Sequence, residues 1–473
     1  MYSPDFIKLL TESVGKEAAD KALEAFSAPA SVSIRLNPAK PSAPFGDDPD
    51  TVPWNPWGRF LAERPSFTLD PLFHAGVYYV QDSSAMAVGA VFREFAKVYW
   101  QSPVLRVLDL CAAPGGKTTD LAASLREICG NDFILVANEV VRQRAAALKE
   151  NVARWGDPNV VVTSADPSAF ASLKGFFDIV VADVPCSGEG MFRKEPDAVR
   201  DWSLETVRLC ASRQKRIIGD VWDALRPGGL MIYSTCTFNH FENGDNVRWI
   251  ADELGASILS PKAYDGMLKT PEGLALIPGL VRGEGQFISA LEKASGTPAS
   301  LPEVGEPAEP TVGERVAPTV GELVEPRPSL PALTGNRYKS SASPFSSLLT
   351  TPSVISAHGD TLVAVPIDIN PEIQALERLR PLSRSVALGT LKGGTLVPSA
   401  DLALSTALVP DAFPRFELSK DEALKFLRKD SILTPGAPKG YVLVCYKGVP
   451  LGFVKNLGNR TNNLHPLSRR ILK

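Results

Sequence analysis

The sequence predicts an α/β protein built on a mostly parallel, doubly wound sheet, with a small α+β domain before it and a β-rich region after it. Three observations predict this. From about residue 76 to 295, apolar runs of strand length alternate with amphipathic runs of helix length. A glycine-rich turn, "CAAPGGKT", follows the first strong apolar run. A segment rich in Pro, Glu and Gly, residues 296–342, then separates this block from a tail with hairpin patterning.

The elements follow in order. Within residues 1–75, Ser3 can cap a helix with Pro4 at its first position. "ASVSIRLNP" (30–38) alternates as a strand does. In the block 76–295, "VLRVLDL" (104–110) reads as a strand and "KTTDLAASLREI" as the helix after the glycine turn. "FILVANE" (133–139) is a strand, and "VVRQRAAALKENVARWG" a helix ending at Gly156. "NVVVTSAD" and "FDIVVADV" are strands. The long helix "SLETVRLCASRQKRIIGDVWDAL" is expected to stop at Arg226-Pro227-Gly228-Gly229, before the strand "LMIYSTC". Residues 296–342 read as a disordered linker. Its "PTVGE" occurs at 310–314 and 318–322, too short a unit for a solenoid. Residues 343–473 resume globular patterning, and "GYVLVCYKGVPLGFVKNLG" (440–458) reads as strand, Lys447-Gly448 turn, strand.

Composition narrows the function classes. At 473 residues the chain has room for two or three domains. Its six cysteines show no CxxC pair and no His/Cys ligand spacing, so no metal site is expected. Few, scattered cysteines suit a reducing, cytoplasmic setting. The amphipathic N-terminus lacks the apolar core of a signal peptide, and no stretch is long enough to cross a membrane. The net charge of −3 weighs against a nucleic-acid binder. Residues 411–473, however, carry twelve Lys and Arg against five Asp and Glu. On charge alone this is a solvated surface.

The glycine turn is neither GxGxxG nor GxxxxGK[ST], so a phosphate cradle is not indicated. Acids punctuate four successive strand ends: Asp109, Glu139, Asp166 and Asp183. One such acid is usually a cap or turn residue. Four around a glycine turn point to a nucleoside pocket, in which a carboxylate after the second strand can accept two ribose hydroxyls. A nucleoside without phosphates fits, and S-adenosylmethionine is one.

Cys186 and Cys236 follow the fourth and fifth strands, which one helical crossover joins. Such strands are commonly neighbours, about 4.8 Å apart, so both thiols should open into one crevice. Either alone would be read as a core thiol; together they point to chemistry. The fitting reaction is methylation at carbon 5 of a pyrimidine. A thiolate adding to carbon 6 makes carbon 5 nucleophilic. A thiol of pKa about 8.5 needs a polar, electropositive or hydrogen-bonded site to supply that thiolate. Asp183 could bond the ring nitrogen and amino edge of cytosine. A second thiol could assist proton removal or release.

At these residues the chain resembles the Sun-type RNA cytosine-5 methyltransferases, and within them the bacterial RsmF-like ribosomal RNA branch. The matching stretches are "LDLCAAPGGKT", "ANE", "SAD", "ADVPCSGEGMFRK" and "YSTCTFNHFEN", with "SIRLNP", "VPWNPWGRFLAERPSF" and "DPLFHAGVYYVQDSSAM". They span most of residues 30–290. The resemblance implies a Rossmann-like class I methyltransferase domain at 76–295, an N-terminal RNA-binding α+β domain at 1–75, and a PUA-like RNA-binding domain within 343–473. It implies that Cys111, Ala112, Ala113, Pro114, Gly115, Gly116 and Lys117, with Glu139, Asp166 and Asp183, form the S-adenosylmethionine site. It implies Cys236 as nucleophile, Cys186 as the release cysteine, and Asp183 as a third catalytic group.

The implied partner is RNA, above all 16S RNA of the small ribosomal subunit, with transfer RNA as the alternative. The PUA-like resemblance turns the basic tail toward RNA phosphates. A monomer is expected, with neither DNA nor membrane as partner. A DNA methyltransferase would make Cys186 the nucleophile; the Ser-Thr-Cys motif and the PUA-like module favour RNA. A non-catalytic assembly factor would not need both cysteines, the acids and the glycine turn. Tyr441, Tyr446 and Phe453 are expected to be mostly buried. Asn239 and Glu242 are expected either to cap the next helix or to touch RNA. Three departures from the family pattern stand out: Val184 replaces an alanine, Gln81-Asp82-Ser83-Ser84 replaces Gln-Glu-Pro-Ser, and Pro278-Gly279 replaces Pro-His.

Overall fold

The computed structural model describes residues 2–40, 50–295 and 343–472. The expected linker, 296–342, lies outside them.

The Ser3 side chain accepts the Phe6 N–H at 3.1 Å, and Pro4 opens the helix Pro4–Val14. Strands β1 (Val32–Leu36), β2 (Gly58–Leu61) and β3 (Tyr78–Val80) form an antiparallel sheet in the order β2-β1-β3. The N-terminal sheet is therefore completed beyond residue 75, by a strand too short to show a pattern in sequence.

The central sheet has nine strands: β4 (Leu105–Asp109), β5 (Phe133–Asn138), β6 (Val160–Thr163), β7 (Phe177–Asp183), β8 (Leu225–Thr235), β9 (Ala256–Leu259), β10 (Leu268–Thr270), β11 (Gly273–Leu276) and β12 (Gln286–Lys293). Their order is β10-β11-β12-β8-β7-β4-β5-β6, with β9 also on β12. Strands β4 to β8 pair in parallel, and β9 to β12 are antiparallel. Strands β5, β6 and β7 are buried along almost their whole length because both faces of the sheet are covered. Leu105 and Val107 join the core under the helices Ala87–Tyr99, Gly116–Cys129 and Arg142–Trp155, while Leu108 joins the core on the other face. The strand order reverses between β4 and β7, which opens a crevice outside their carboxyl ends.

One boundary differs from expectation. The long helix ends at Val221, and Arg226–Gly229 lie at the start of β8 instead of stopping the helix. The register of β7 on β8 slips between Phe177 and Ile179, which absorbs the Pro-Gly-Gly segment. Gly228 takes a left-handed φ of 64° within it.

After residue 343 there are two sheets. The first holds β13 (Ser353–His358), β14 (Thr361–Pro366), β15 (Val386–Lys392) and β16 (Thr395–Pro398) in sequential order. The second holds β17 (Arg415–Glu417), β18 (Gly440–Tyr446), β19 (Val449–Asn456) and β20 (Thr461–Asn463). Lys447 and Gly448, both at positive φ, make the two-residue turn of the β18–β19 hairpin. Phe453 is buried, but Tyr441 and Tyr446 are only half-buried. Lys455 and Lys447 stand over their rings at 5.5 and 5.8 Å.

The first of these sheets packs on the central block. Val363, Val365, Ile369, Ile373 and Leu376 share a core with Leu108 and Phe170. The Val162 N–H donates to Ser383 O at 3.1 Å, and Leu382 N–H to Val162 O at 2.7 Å, so this segment closes the β6 edge. Arg469 joins Glu150 of the central block to Asp401 of the helix Ala400–Leu404, which follows the first sheet. Among the described residues no helix is long and apolar enough to cross a membrane.

Candidate active site

The glycine turn starts where β4 ends at Asp109. Gly115 adopts a left-handed φ of 109° and caps the helix Gly116–Cys129, a conformation that favours glycine. The turn is pinned from outside. Asn151 Nδ2 donates to Pro114 O at 2.7 Å, Arg144 to Ala113 O at 3.0 Å, and Arg35 to Gly116 O at 3.0 Å. Asn138 staples three strand ends together: Nδ2 donates to Leu110 O and Ala165 O, and Oδ1 accepts from Thr163 Oγ1 and Ala165 N.

Asp109 is fully buried. Thr118 donates to its Oδ2 at 2.6 Å, while Oδ1 has no hydrogen-bond partner. Burial pushes its carboxyl up to about 7. Glu139 accepts the Val141 N–H through Oε1; its Oε2 makes no hydrogen bond, although Arg144 stands 3.2 Å away. Asp109 Oδ1, which has no partner, and Glu139 Oε2, which has only the Arg144 ion pair, suit a nucleoside, which brings hydroxyl and amino donors. Asp166 is different. It is exposed and caps the short helix Pro167–Ser172, with Oδ1 accepting Ser168 N and Oγ. Those hydrogen bonds hold its carboxyl below the usual range.

Strands β7 and β8 pair with Asp183 opposite Ser234, so the loops that follow them leave the sheet side by side. The Cys186 and Cys236 Sγ atoms lie 3.1 Å apart. That contact, then burial, pushes the Cys186 thiol up. Cys111 is also pushed up, by burial first and then by Asp109 and Asp183. Asp183 accepts Ser234 Oγ at 2.8 Å and Gln286 Nε2 at 2.9 Å on Oδ1, and Lys117 Nζ stands 2.9 Å from Oδ2. Burial alone would lower the Lys117 ammonium, but the charge and hydrogen bond of Asp183 outweigh it and raise it. The crevice thus joins a thiol pair, an ordered carboxylate and a cation.

Sequence reasoning placed Cys186, Cys236, Asp183 and the Cys111–Lys117 turn, and the structure brings these together. It left Arg35, Asn138, Ser234 and Gln286 without roles. Their signals were present in "SIRLNP", "ANE", "YSTC" and "GEGQF". The capping expectation for Asn239 and Glu242 is corrected. The helix Gly244–Leu254 starts at Asn243 with no side-chain cap, and both residues turn into a buried network between the two cysteine loops.

Residues 102–292 match the family model for 16S rRNA methyltransferase RsmB/F, residues 413–471 that for the methyltransferase RsmF PUA domain, and residues 3–83 that for the N-terminal domain of 16S rRNA methyltransferase RsmF. The chain is 31% identical, over an alignment of 510 residues, to ribosomal RNA small subunit methyltransferase F of Salmonella paratyphi A, covering 98% of this chain and 96% of that one. The protein of the same name from Salmonella heidelberg gives the same identity and coverage. The crystal structure of a methyltransferase homolog from Pyrococcus horikoshii matches with a TM-score of 0.52 and 27% identity, over 62% of this chain and 95% of that one. The central block is a class I methyltransferase domain, its methyl donor is S-adenosylmethionine, and the tail holds a PUA domain. A glycine turn without a phosphate signature, buried carboxylates beside it and three family models in chain order agree: this chain belongs to the RsmB/F family of 16S rRNA methyltransferases, in its RsmF branch.

Proposed function

We propose that the chain methylates carbon 5 of a cytosine in small-subunit ribosomal RNA, through a covalent adduct between Cys236 and carbon 6. The observation that carries this reading is the thiol pair, 3.1 Å apart beyond adjacent parallel strands and beside Asp183 and Lys117. The turn Cys111–Lys117, with Glu139 and Asp183, holds the methyl donor, and Asp166 stands beyond the end of β6. The donor supplies an electrophilic sulfonium methyl.

The chain's own residues do the rest. The Cys236 thiolate adds to carbon 6, and the electron pair this places on carbon 5 takes the methyl. Asp183, oriented by Ser234, Gln286 and Lys117, accepts from the cytosine amino edge. The carbon 5 proton leaves to a base, and the carbon 6–sulfur bond breaks. Cys186, whose raised pKa keeps its proton on sulfur, stabilises the departing Cys236 thiolate by donating an S–H hydrogen bond to it.

Ribosomal RNA as substrate is supported by the names of the relatives and by the basic PUA region. The chain would bind RNA as a monomer in the cytoplasm, through its N-terminal and PUA domains. A denaturing gel with labelled RNA tests the chemistry. Cys236→Ala should abolish methyl transfer, and Cys186→Ala should leave an RNA–protein adduct. Methyl transfer surviving in Cys236→Ala would overturn the assignment. Bisulfite sequencing of RNA from a deletion strain tests the substrate: loss of a protected cytosine in small-subunit RNA supports it, and loss in transfer RNA refutes it.

A further inference from the structure

The two cysteines are not equally anchored. Cys236 follows β8 directly, and β8 is paired on both sides, with β7 and β12. Cys186 lies further out. The last sheet-like bond before it is from the Val184 N–H to Ser234 O, at 3.0 Å. Beyond that point one backbone bond, from the Gly190 N–H to Cys236 O at 2.8 Å, and a set of buried side chains hold the Cys186 loop.

The set is reciprocal. Glu189, in the Cys186 loop, accepts the Phe238 N–H of the Cys236 loop at 2.7 Å. Glu242, beyond Cys236, accepts the Ser187 N–H of the Cys186 loop at 3.0 Å. Asn239 Nδ2 lies 2.9 Å from an oxygen of each carboxylate. Gln214 Nε2 adds bonds to Pro185 O at 3.0 Å and to Glu242 at 2.7 Å. Glu189, Asn239 and Glu242 are each no more than 1% exposed. Among the described residues neither carboxylate is in an ion pair, so amide donors, with the Trp202 indole N–H at 3.0 Å from Glu189, offset their desolvation. Burying charge this way is costly, and apolar side chains would fill the same space at less cost. Two such carboxylates, each reaching across to the other loop, mark a functional constraint.

We propose that Glu189, Asn239 and Glu242 are positioning residues that strap the Cys186 loop to the Cys236 loop, and that their task is to make the adduct release. The inference rests on the reading of Cys236 as nucleophile and Cys186 as the releasing thiol. Without the strap Cys236 stays on its strand and still adds to the base. Cys186 drifts away from the sulfur its S–H must hydrogen-bond as it leaves, and a misplacement of about 1 Å costs on the order of a hundredfold in rate.

The test uses the full chain with Glu242→Gln and Glu189→Gln, each of which keeps the side-chain size but points an amide at converging donors. Three readouts are taken: S-adenosylmethionine affinity, methyl-transfer turnover, and the covalent band on a denaturing gel with labelled RNA. Cofactor affinity should stay within about twofold, turnover should fall at least about tenfold, and the band should accumulate as in Cys186→Ala. Wild-type turnover, or lost turnover without a band, overturns the strap. If Cys186→Ala traps the band and the Gln variants do not, the strap alone is wrong. If Cys186→Ala traps nothing, the division of labour falls and the strap's role falls with it. Ser187→Ala, which removes the 3.1 Å hydroxyl link to Thr237 and the 3.4 Å bond from Asn239 Nδ2, carries the same outcomes in milder form should a Gln variant not fold.

Discussion

Arg35, on the N-terminal sheet, donates through Nη2 to Gly116 O at 3.0 Å and to Thr119 Oγ1 at 2.5 Å, and so pins the glycine turn from another domain. It is fully buried, bonds Gln81 through Nε at 2.9 Å, and lies 4.6 Å over the Trp155 ring. Burial lowers its pKa to about 10, which leaves it charged at neutral pH. Lysine keeps the charge but not the planar fork. Arg35→Lys should weaken S-adenosylmethionine binding about tenfold, the worth of one hydrogen bond to a charged group. Titration calorimetry checks this, and unchanged affinity would detach Arg35 from the turn. Arg35→Ala leaves a buried network half-paired and should lower stability by about 3–5 kcal/mol in a denaturant titration.

Gly190 sits where the two cysteine loops touch. Its N–H donates to Cys236 O at 2.8 Å, and a Cβ there would come within 2.9 Å of both Cys236 O and Glu284 O. Both are backbone atoms, so the loop itself must yield. Gly190→Ala should cut turnover by about ten- to a hundredfold, because the displaced carbonyl belongs to Cys236, the residue proposed as nucleophile. Single-turnover kinetics with wild-type rates would show that the loop absorbs the methyl group without moving the thiol.

Two buried carboxyls give the chain a pH dependence. Burial, ahead of all other causes, raises Glu242 from its ordinary 4.5 and Asp109 from 3.8, each to about 7. Between the ordinary and raised values the folded chain keeps a proton that the unfolded chain has lost. Stability therefore falls as pH rises through that window and levels off above about 7. Glu242→Gln removes one of the two groups, so its melting temperature should decline less steeply than wild type from pH 4.5 to 7. Parallel curves for the two proteins would contradict the assignment.

The thiol pair should also be oxidisable. Its sulfurs are 3.1 Å apart, and a disulfide needs about 2.05 Å, a short approach for two loop residues. With hydrogen peroxide, the two thiols give up two electrons and two protons to form one disulfide, and the peroxide is reduced to water. A non-reducing peptide map should show Cys186 joined to Cys236, with methyl transfer restored by dithiothreitol. Linkage absent from wild type at full loss of activity would mean that another of the six thiols is the target.

What was legible in the sequence lay at the ends of apolar runs. Asp109, Asp183, Cys186 and Cys236 are visible there because a parallel sheet delivers its strand ends to one crevice. Gln286 was not, since it reaches Asp183 only because β12 lies antiparallel on β8, a pairing that no local pattern states. Arg35 stands at a strand position that alternation assigns to solvent, yet the catalytic block covers it. Asn239 and Glu242 have the spacing of a capping pair and do bond each other. That pair closes a turn ahead of the helix, and its free valences go to the other loop. The local pattern was right, and tertiary context decided its use. Tyr441 and Tyr446 show the converse: alternation made them core, and the sheet leaves them half open under Lys455 and Lys447.

The bonds between Val162 and the segment Leu382–Ser383 decide how this chain can be divided. Cut after residue 295, the catalytic block would offer β6 as an unpaired edge, and would expose the apolar face that Ile369, Ile373 and Leu376 now cover. Bare edges beside apolar patches template self-association. The methyltransferase module is thus not a portable part, and a chimera that borrows it must carry residues 343–410 along or find another cover for that edge.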